Sequence, residues 1–170
     1  MAKQSRLPKL KKGPNPFADP DRGPVLTVRF GIALVLIALG VAWVAYTYWG
    51  IRPHDGWGAL DLKTGKAEAT GGPSFLGDLE KWNYLIGFGL FFLGLIASAH
   101  PKTPLGRGRG VVAGMLGCFL VGLVWICCYY IFLTGNNPKD LPIFNDLAQK
   151  NLFVGIAFMA VGFTFATRWE

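Results

Sequence analysis

Four stretches of this chain contain no aspartate, glutamate, lysine or arginine: Phe30 to Ile51, Trp82 to Ala99, Gly110 to Pro138, and Asn151 to Thr167. Charged residues make up only 16% of the whole and apolar ones 52%, which is too apolar for a soluble domain of this size. Histidine is scarce as well, with His54 and His100 both outside those stretches. Ion-coupled transport and proton relays need ionisable groups near the bilayer midplane, and transmembrane haem ligation needs histidine within the helices. Both functions are disfavoured. The three cysteines, Cys118, Cys127 and Cys128, all fall in the third stretch with no histidine at ligand spacing. They point to neither a disulfide framework nor a metal site, and read as small apolar packing residues. Asp78 and Glu80 sit two apart in a loop, which does not make an acid-base pair, and no Ser-His or Cys-His arrangement is visible. The expectation is a protein that is not an enzyme and carries no cofactor or metal.

What the sequence does have is length in its uncharged stretches. Crossing a ~30 Å hydrocarbon core takes about 20 apolar residues at ~1.5 Å each, with a range of roughly 17 to 25. All four stretches qualify, the second and fourth at the short end. The predicted fold is an all-α membrane protein with four transmembrane helices. Its divisions are a basic, proline-rich arm at 1–29, a first hairpin at 30–99 with a long loop over 52–81, a linker at 100–110 and a second hairpin at 111–170.

Charge is unequal between the two faces this layout creates. The arm, the 100–110 linker and the carboxyl end together hold eleven basic residues against Asp19, Asp21 and Glu170. The other face holds six basic residues against seven acidic ones. By the positive-inside rule both termini are cytoplasmic, in a multi-pass protein of the plasma membrane. Tyr46, Tyr48 and Trp49, with Tyr129 and Tyr130, fit an aromatic belt at the outer interface. No cleaved signal peptide is expected, since the arm before the first span is 29 residues long. Lys3, Arg6, Lys9, Lys11 and Lys12 make the arm a topology determinant attracted to anionic membrane lipids, or a contact for a cytoplasmic protein. Phe17 is its one stacking residue, so nucleic acid is not an expected partner. Gly106-Arg107-Gly108-Arg109-Gly110 has no strand before it and no Lys-Ser/Thr after it, and reads as a flexible connector rather than a phosphate loop.

The halves are similar to each other. At an offset of 68 residues Asp78 aligns with Asp146, Asn83 with Asn151, Gly87 with Gly155 and Gly94 with Gly162. At an offset of 82, Gly40 aligns with Gly122, Trp43 with Trp125 and Tyr48 with Tyr130. Two spans per unit make this a tandem, parallel repeat about an axis along the membrane normal. Seven-residue spacing returns a helix to nearly the same face, so Gly87 with Gly94 and Gly155 with Gly162 are expected to face other helices. Gly114, Cys118 and Gly122 form a small-residue stripe of the kind that lets helix backbones approach in lipid.

Residues 110–170 resemble the CrgA family of small actinobacterial cell-division membrane proteins. The resemblance is carried by Gly122-Leu123-Val124-Trp125, by Asp140-Leu141-Pro142-Ile143 leading to Asp146-Leu147, by the glycine-spaced last span and by Thr167-Arg168-Trp169-Glu170. The first half looks similar to the family at Trp82-Asn83 and Gly87-Phe88-Gly89, and the tandem arrangement departs from the single hairpin of that family. The resemblance implies a non-catalytic protein of the division septum that recruits or regulates the FtsZ machinery and septal peptidoglycan synthases. An accessory subunit of a larger membrane complex, such as a respiratory complex, is the alternative, with a small transporter weaker still. A homo-oligomer is compatible with either.

Overall fold

The computed structural model describes residues 26–58, 60–66, 68–134, 141 and 143–167. The residues Lys3, Arg6, Lys9, Lys11 and Lys12 of the basic arm lie outside them. Every regular element among the described residues is helical: α1 (Val28–Tyr46), α2 (Ser74–Asp78), α3 (Trp82–Ser98), α4 (Arg109–Leu133), α5 (Phe144–Leu147) and α6 (Asn151–Ala166). Thr27 starts α1 by accepting a hydrogen bond from the Phe30 N–H at its hydroxyl, and the helix closes in one π-helical turn, Thr47–Ile51. Three helical segments are long and apolar enough to cross a membrane: Val28–Ile51, Arg109–Leu133, and Phe144–Ala166, which joins α5 to α6. The helix α3 is apolar but shorter, at 17 residues.

Helix α1 packs antiparallel on α3, and α4 antiparallel on α6. The contacts recur position by position. A side chain at Gly40 would lie 2.7 Å from the Gly87 carbonyl oxygen, and one at Gly122 would lie 2.7 Å from that of Gly155. Gly87 in turn faces Val44, and Gly155 faces Ile126, again 82 residues on. Gly94 abuts Ala33 and Ile37, while Gly162 lies near Met115 and Phe119, the residues at the same offset. Here the two pairs differ. A Cβ at Gly94 would meet backbone atoms at 2.8–2.9 Å, whereas at Gly162 the nearest atoms stand 3.4 Å away. The bulkier Met115 and Phe119 hold the second pair of backbones further apart at that level.

The approach to α3 repeats in the approach to α6. Each begins with a short helix, breaks at a non-glycine residue with positive φ (Glu80 at 43°, Ala148 at 46°), and resumes with a buried asparagine in the first two residues of the next helix, Asn83 in α3 and Asn151 in α6. Asn83 Nδ2 donates to the carbonyls of Leu76 (2.6 Å) and Glu80 (3.0 Å), and Asn151 Nδ2 donates to those of Phe144 and Ala148 (both 2.7 Å). The carbonyls of Glu80, Phe144 and Ala148 also accept a backbone N–H, so at both breaks the asparagine amide adds a second donor that ties the short helix to the start of the next.

The segment between α3 and α4 differs from the flexible connector expected there. Thr103 is fully buried, its hydroxyl donates to the Ser98 and His100 carbonyls, and it accepts from the Gly106 N–H. A Cβ at Gly106 would stand 2.1 Å from the His100 oxygen, so the glycine serves a tight turn. His100 is likewise engaged, with Nε2 2.5 Å from Arg29 Nη1.

Candidate functional site

The two hairpins meet through α3, whose aromatic face packs on α6 and α4. Phe92 and Phe91 meet Phe158 edge-on at centroid distances of 4.9 and 5.7 Å, and Phe88 meets Trp125 at 5.8 Å. Trp125 also stacks on Phe144 at 4.4 Å. These ring pairs bury large apolar areas, and edge-to-face geometry suits the ring quadrupoles. In a lipid surrounding, such direct packing holds helices together, because apolar burial alone no longer drives association.

At one end of this joint lies a charged cluster. The π-helical turn ends α1 immediately before Arg52, whose Nε donates to both oxygens of Asp146, at 3.0 and 2.8 Å. Tyr84, in the first turn of α3, donates its hydroxyl to Asp146 Oδ2 at 2.7 Å. Asp146 is 6% exposed and Tyr84 fully buried. The Arg52 guanidinium also lies 5.2 Å from the centroid of Tyr48. Burial pushes the Arg52 pKa down, but the hydrogen bond and charge of Asp146 outweigh this and the net shift is upward. Asp146 thus draws a residue from α1's end and another from α3 onto the second hairpin. Its charge is neutralised and its oxygens are occupied, which suits a clamp and not a general base. Such a pair orients more than it stabilises, since desolvation offsets much of the attraction, yet removing one partner leaves a buried charge unpaired.

The residues singled out from the sequence distribute as follows. Gly87, Gly94, Gly155 and Gly162 are buried within their own hairpins, as are Gly114, Cys118 and Gly122 on α4, where Gly114 faces the ring of Phe165. None of the seven belongs to the Arg52–Asp146–Tyr84 cluster. Of the three cysteines Cys118 is buried, Cys127 exposed and Cys128 half-buried. Tyr129 is buried while Tyr130 is exposed. Sequence reasoning missed the clamp, and it left Gly40 off the packing set even though Gly40 aligns with Gly122. The offset of 82 was the available signal for Gly40. For the clamp no signal existed, because Arg52 and Asp146 are 94 residues apart and Asp146 carries the same letter as the exposed Asp78.

Residues 97–170, the second hairpin with the segment leading into it, match the family described as Cell division protein CrgA. The Cell division protein CrgA of Streptomyces avermitilis is 38% identical over 69 residues, which are 41% of this chain and 75% of that relative. No solved structure matches. A match of this identity across three quarters of the relative, with the family model falling on the hairpin that holds Asp146, places the chain in the CrgA family of cell division proteins.

Proposed function

We propose that this protein is a non-catalytic, multi-pass component of the division septum that recruits or regulates septal division and peptidoglycan-synthesis proteins through its helices and basic arm. Membership in a cell division family carries the reading. The proposed architecture is four spans in two tandem hairpins with both termini cytoplasmic. It is supported by the position-by-position recurrence of the glycine contacts and asparagine caps, and by the excess of basic residues on one face. In this reading the glycines Gly87, Gly94, Gly114, Gly122, Gly155 and Gly162, with Cys118, act inside each hairpin, and partners meet the exposed faces of the bundle. Two linked hairpins raise avidity only where both can engage at once.

The test is a fluorescent fusion imaged in the native host together with a phosphatase reporter. Septal enrichment is expected, with phosphatase activity for insertions near Gly65 and none for fusions after Glu170. Uniform membrane fluorescence through the cell cycle, with stoichiometric recovery in a respiratory complex, refutes the septal role. Activity at the carboxyl end refutes the even number of spans.

A further inference from the structure

A groove of about 360 Å³ runs along the joint between α3 and α6. Its walls pair residues 68 apart: Trp82 with Lys150, Leu85 with Phe153, Gly89 with Ala157. The walls are apolar and open outward, with Leu85 60%, Trp82 61% and Phe153 71% exposed. Gly89 leaves open space, since no atom lies within 4 Å of where its Cβ would be. At one end the lining becomes basic, with Lys81 from the turn before α3 and Lys150 from the turn before α6. The Lys150 ammonium sits 5.4 Å from the Trp82 ring centroid, which steadies it at the groove mouth. Among the described residues neither lysine forms a salt bridge, although the exposed Glu80 adjoins Lys81 in the chain.

We propose that this groove binds an anionic phospholipid, with one acyl chain lying along Gly89 and Ala157 and the headgroup phosphate between Lys81 and Lys150. Charge complementarity at the mouth selects an anion, and the apolar walls select a hydrocarbon chain. The space equals roughly a dozen water molecules at ~30 Å³ each, enough for part of an alkyl chain. The inference rests on α3 and α6 lying across the membrane.

The test is native mass spectrometry of the full chain released from micelles containing equal amounts of phosphatidylglycerol and phosphatidylcholine. The wild type is expected to retain one phosphatidylglycerol in preference to phosphatidylcholine. Gly89→Leu fills the open space and should abolish retention with thermal stability unchanged. Lys81→Gln and Lys150→Gln should each keep a lipid but cut the headgroup preference roughly fivefold, as expected for about 1 kcal/mol per basic residue at a membrane surface. If Gly89→Leu does not accumulate, the two lysine variants, which alter side chains outside the core, decide the matter. Equal retention of the two lipids by the wild type overturns the proposal, as does undiminished retention by Gly89→Leu. A dimer lost on Gly89→Leu would assign the groove to a second copy and overturn it as well. Failure of the membrane reading shows separately, as a chain extracted from membranes by alkaline carbonate.

Discussion

Asp78 and Asp146 occupy the same place in the two hairpins, one residue before the leucine that ends the short helix or its turn, yet Asp78 is exposed and Asp146 is buried under Arg52 and Tyr84. The positions that would complete a matching clamp at Asp78 are Thr134 and Leu152, which carry no charge. Contacts inside each hairpin recur, while contacts between the hairpins do not. The glycine pairs and asparagine caps solve a problem each hairpin faces alone, namely close backbone approach and a broken helix. The clamp solves a problem that arises only when two hairpins share a chain, and one side suffices for it.

The largest effects should come from the recurring glycine contacts. A Cβ at Gly40 would stand 2.6 Å from the Phe91 backbone nitrogen, and at Gly122 2.7 Å from the Gly155 oxygen, so neither neighbour can turn aside. Gly40→Leu and Gly122→Leu are each expected to cost about 3 kcal/mol or more, read as loss of folded protein in detergent. Gly114→Leu meets the buried ring of Phe165 and not a backbone atom, and should cost less. Gly117 has open space around it, and Gly117→Leu should be tolerated. Equal accumulation of Gly122→Leu and Gly117→Leu would show that the backbone approach does not hold the hairpin.

Breaking the clamp comes next, and it separates the halves. Asp146→Ala leaves Arg52 half-buried without its partner and Tyr84 without its acceptor, at a cost of roughly 3 kcal/mol. Asp78→Ala, at an exposed site, should change stability by no more than ~0.5 kcal/mol. Because the Arg52 pKa is raised, its share of the stability is complete below the ordinary guanidinium value and is lost only as pH climbs beyond it. The Arg52 side of the clamp should therefore give a flat profile from neutral to moderately alkaline pH. Thermal denaturation of the two alanine variants in the same detergent makes the comparison, and equal losses would refute the assignment of the joint to Asp146.

Much of the helical layout was legible because uncharged runs between charged flanks mark helices whatever they pack against. Val28–Ile51 and Arg109–Leu133 begin within two residues of the runs that predict them. The fourth helix was read from Asn151, but the apolar segment reaches back to Phe144. Asp146 and Lys150 interrupt the run in sequence, while in space Asp146 is neutralised by Arg52 and Lys150 lies over Trp82. Local composition cannot register a charge whose partner comes from the other half of the chain. The compact turn at Thr103 was hidden for a related reason, since its glycines signal freedom in the sequence and close approach in the fold.

Removing the asparagine caps tests whether the two helix breaks are equivalent. Asn83→Ala and Asn151→Ala each remove two hydrogen bonds from the side-chain amide to carbonyls, although the Glu80, Phe144 and Ala148 carbonyls keep a backbone N–H and each substitution also removes a buried side-chain oxygen that has no partner. The expected loss is about 1–3 kcal/mol for either, and similar for both. A large loss for one and none for the other, in chemical denaturation of the two variants, would mean that the breaks share geometry without sharing energetics.

The smallest effect probes the strain at those same breaks and should be of opposite sign. Ala148 has φ 46° and ψ −125°, a region that a Cβ makes unfavourable, and Glu80 has φ 43°. Replacing either by glycine relieves roughly 1–2 kcal/mol of steric cost and gives back about 0.5–1 kcal/mol through the extra freedom of the unfolded chain. Ala148→Gly and Glu80→Gly should each gain up to about 1 kcal/mol, or a small rise in melting temperature, and their sum should be additive because the sites belong to different hairpins. The native alanine and glutamate would then persist at a cost in stability that each helix break carries independently. A loss of stability on Ala148→Gly would mean that the break is relaxed as it stands, and that Asn151 closes it without opposing any strain.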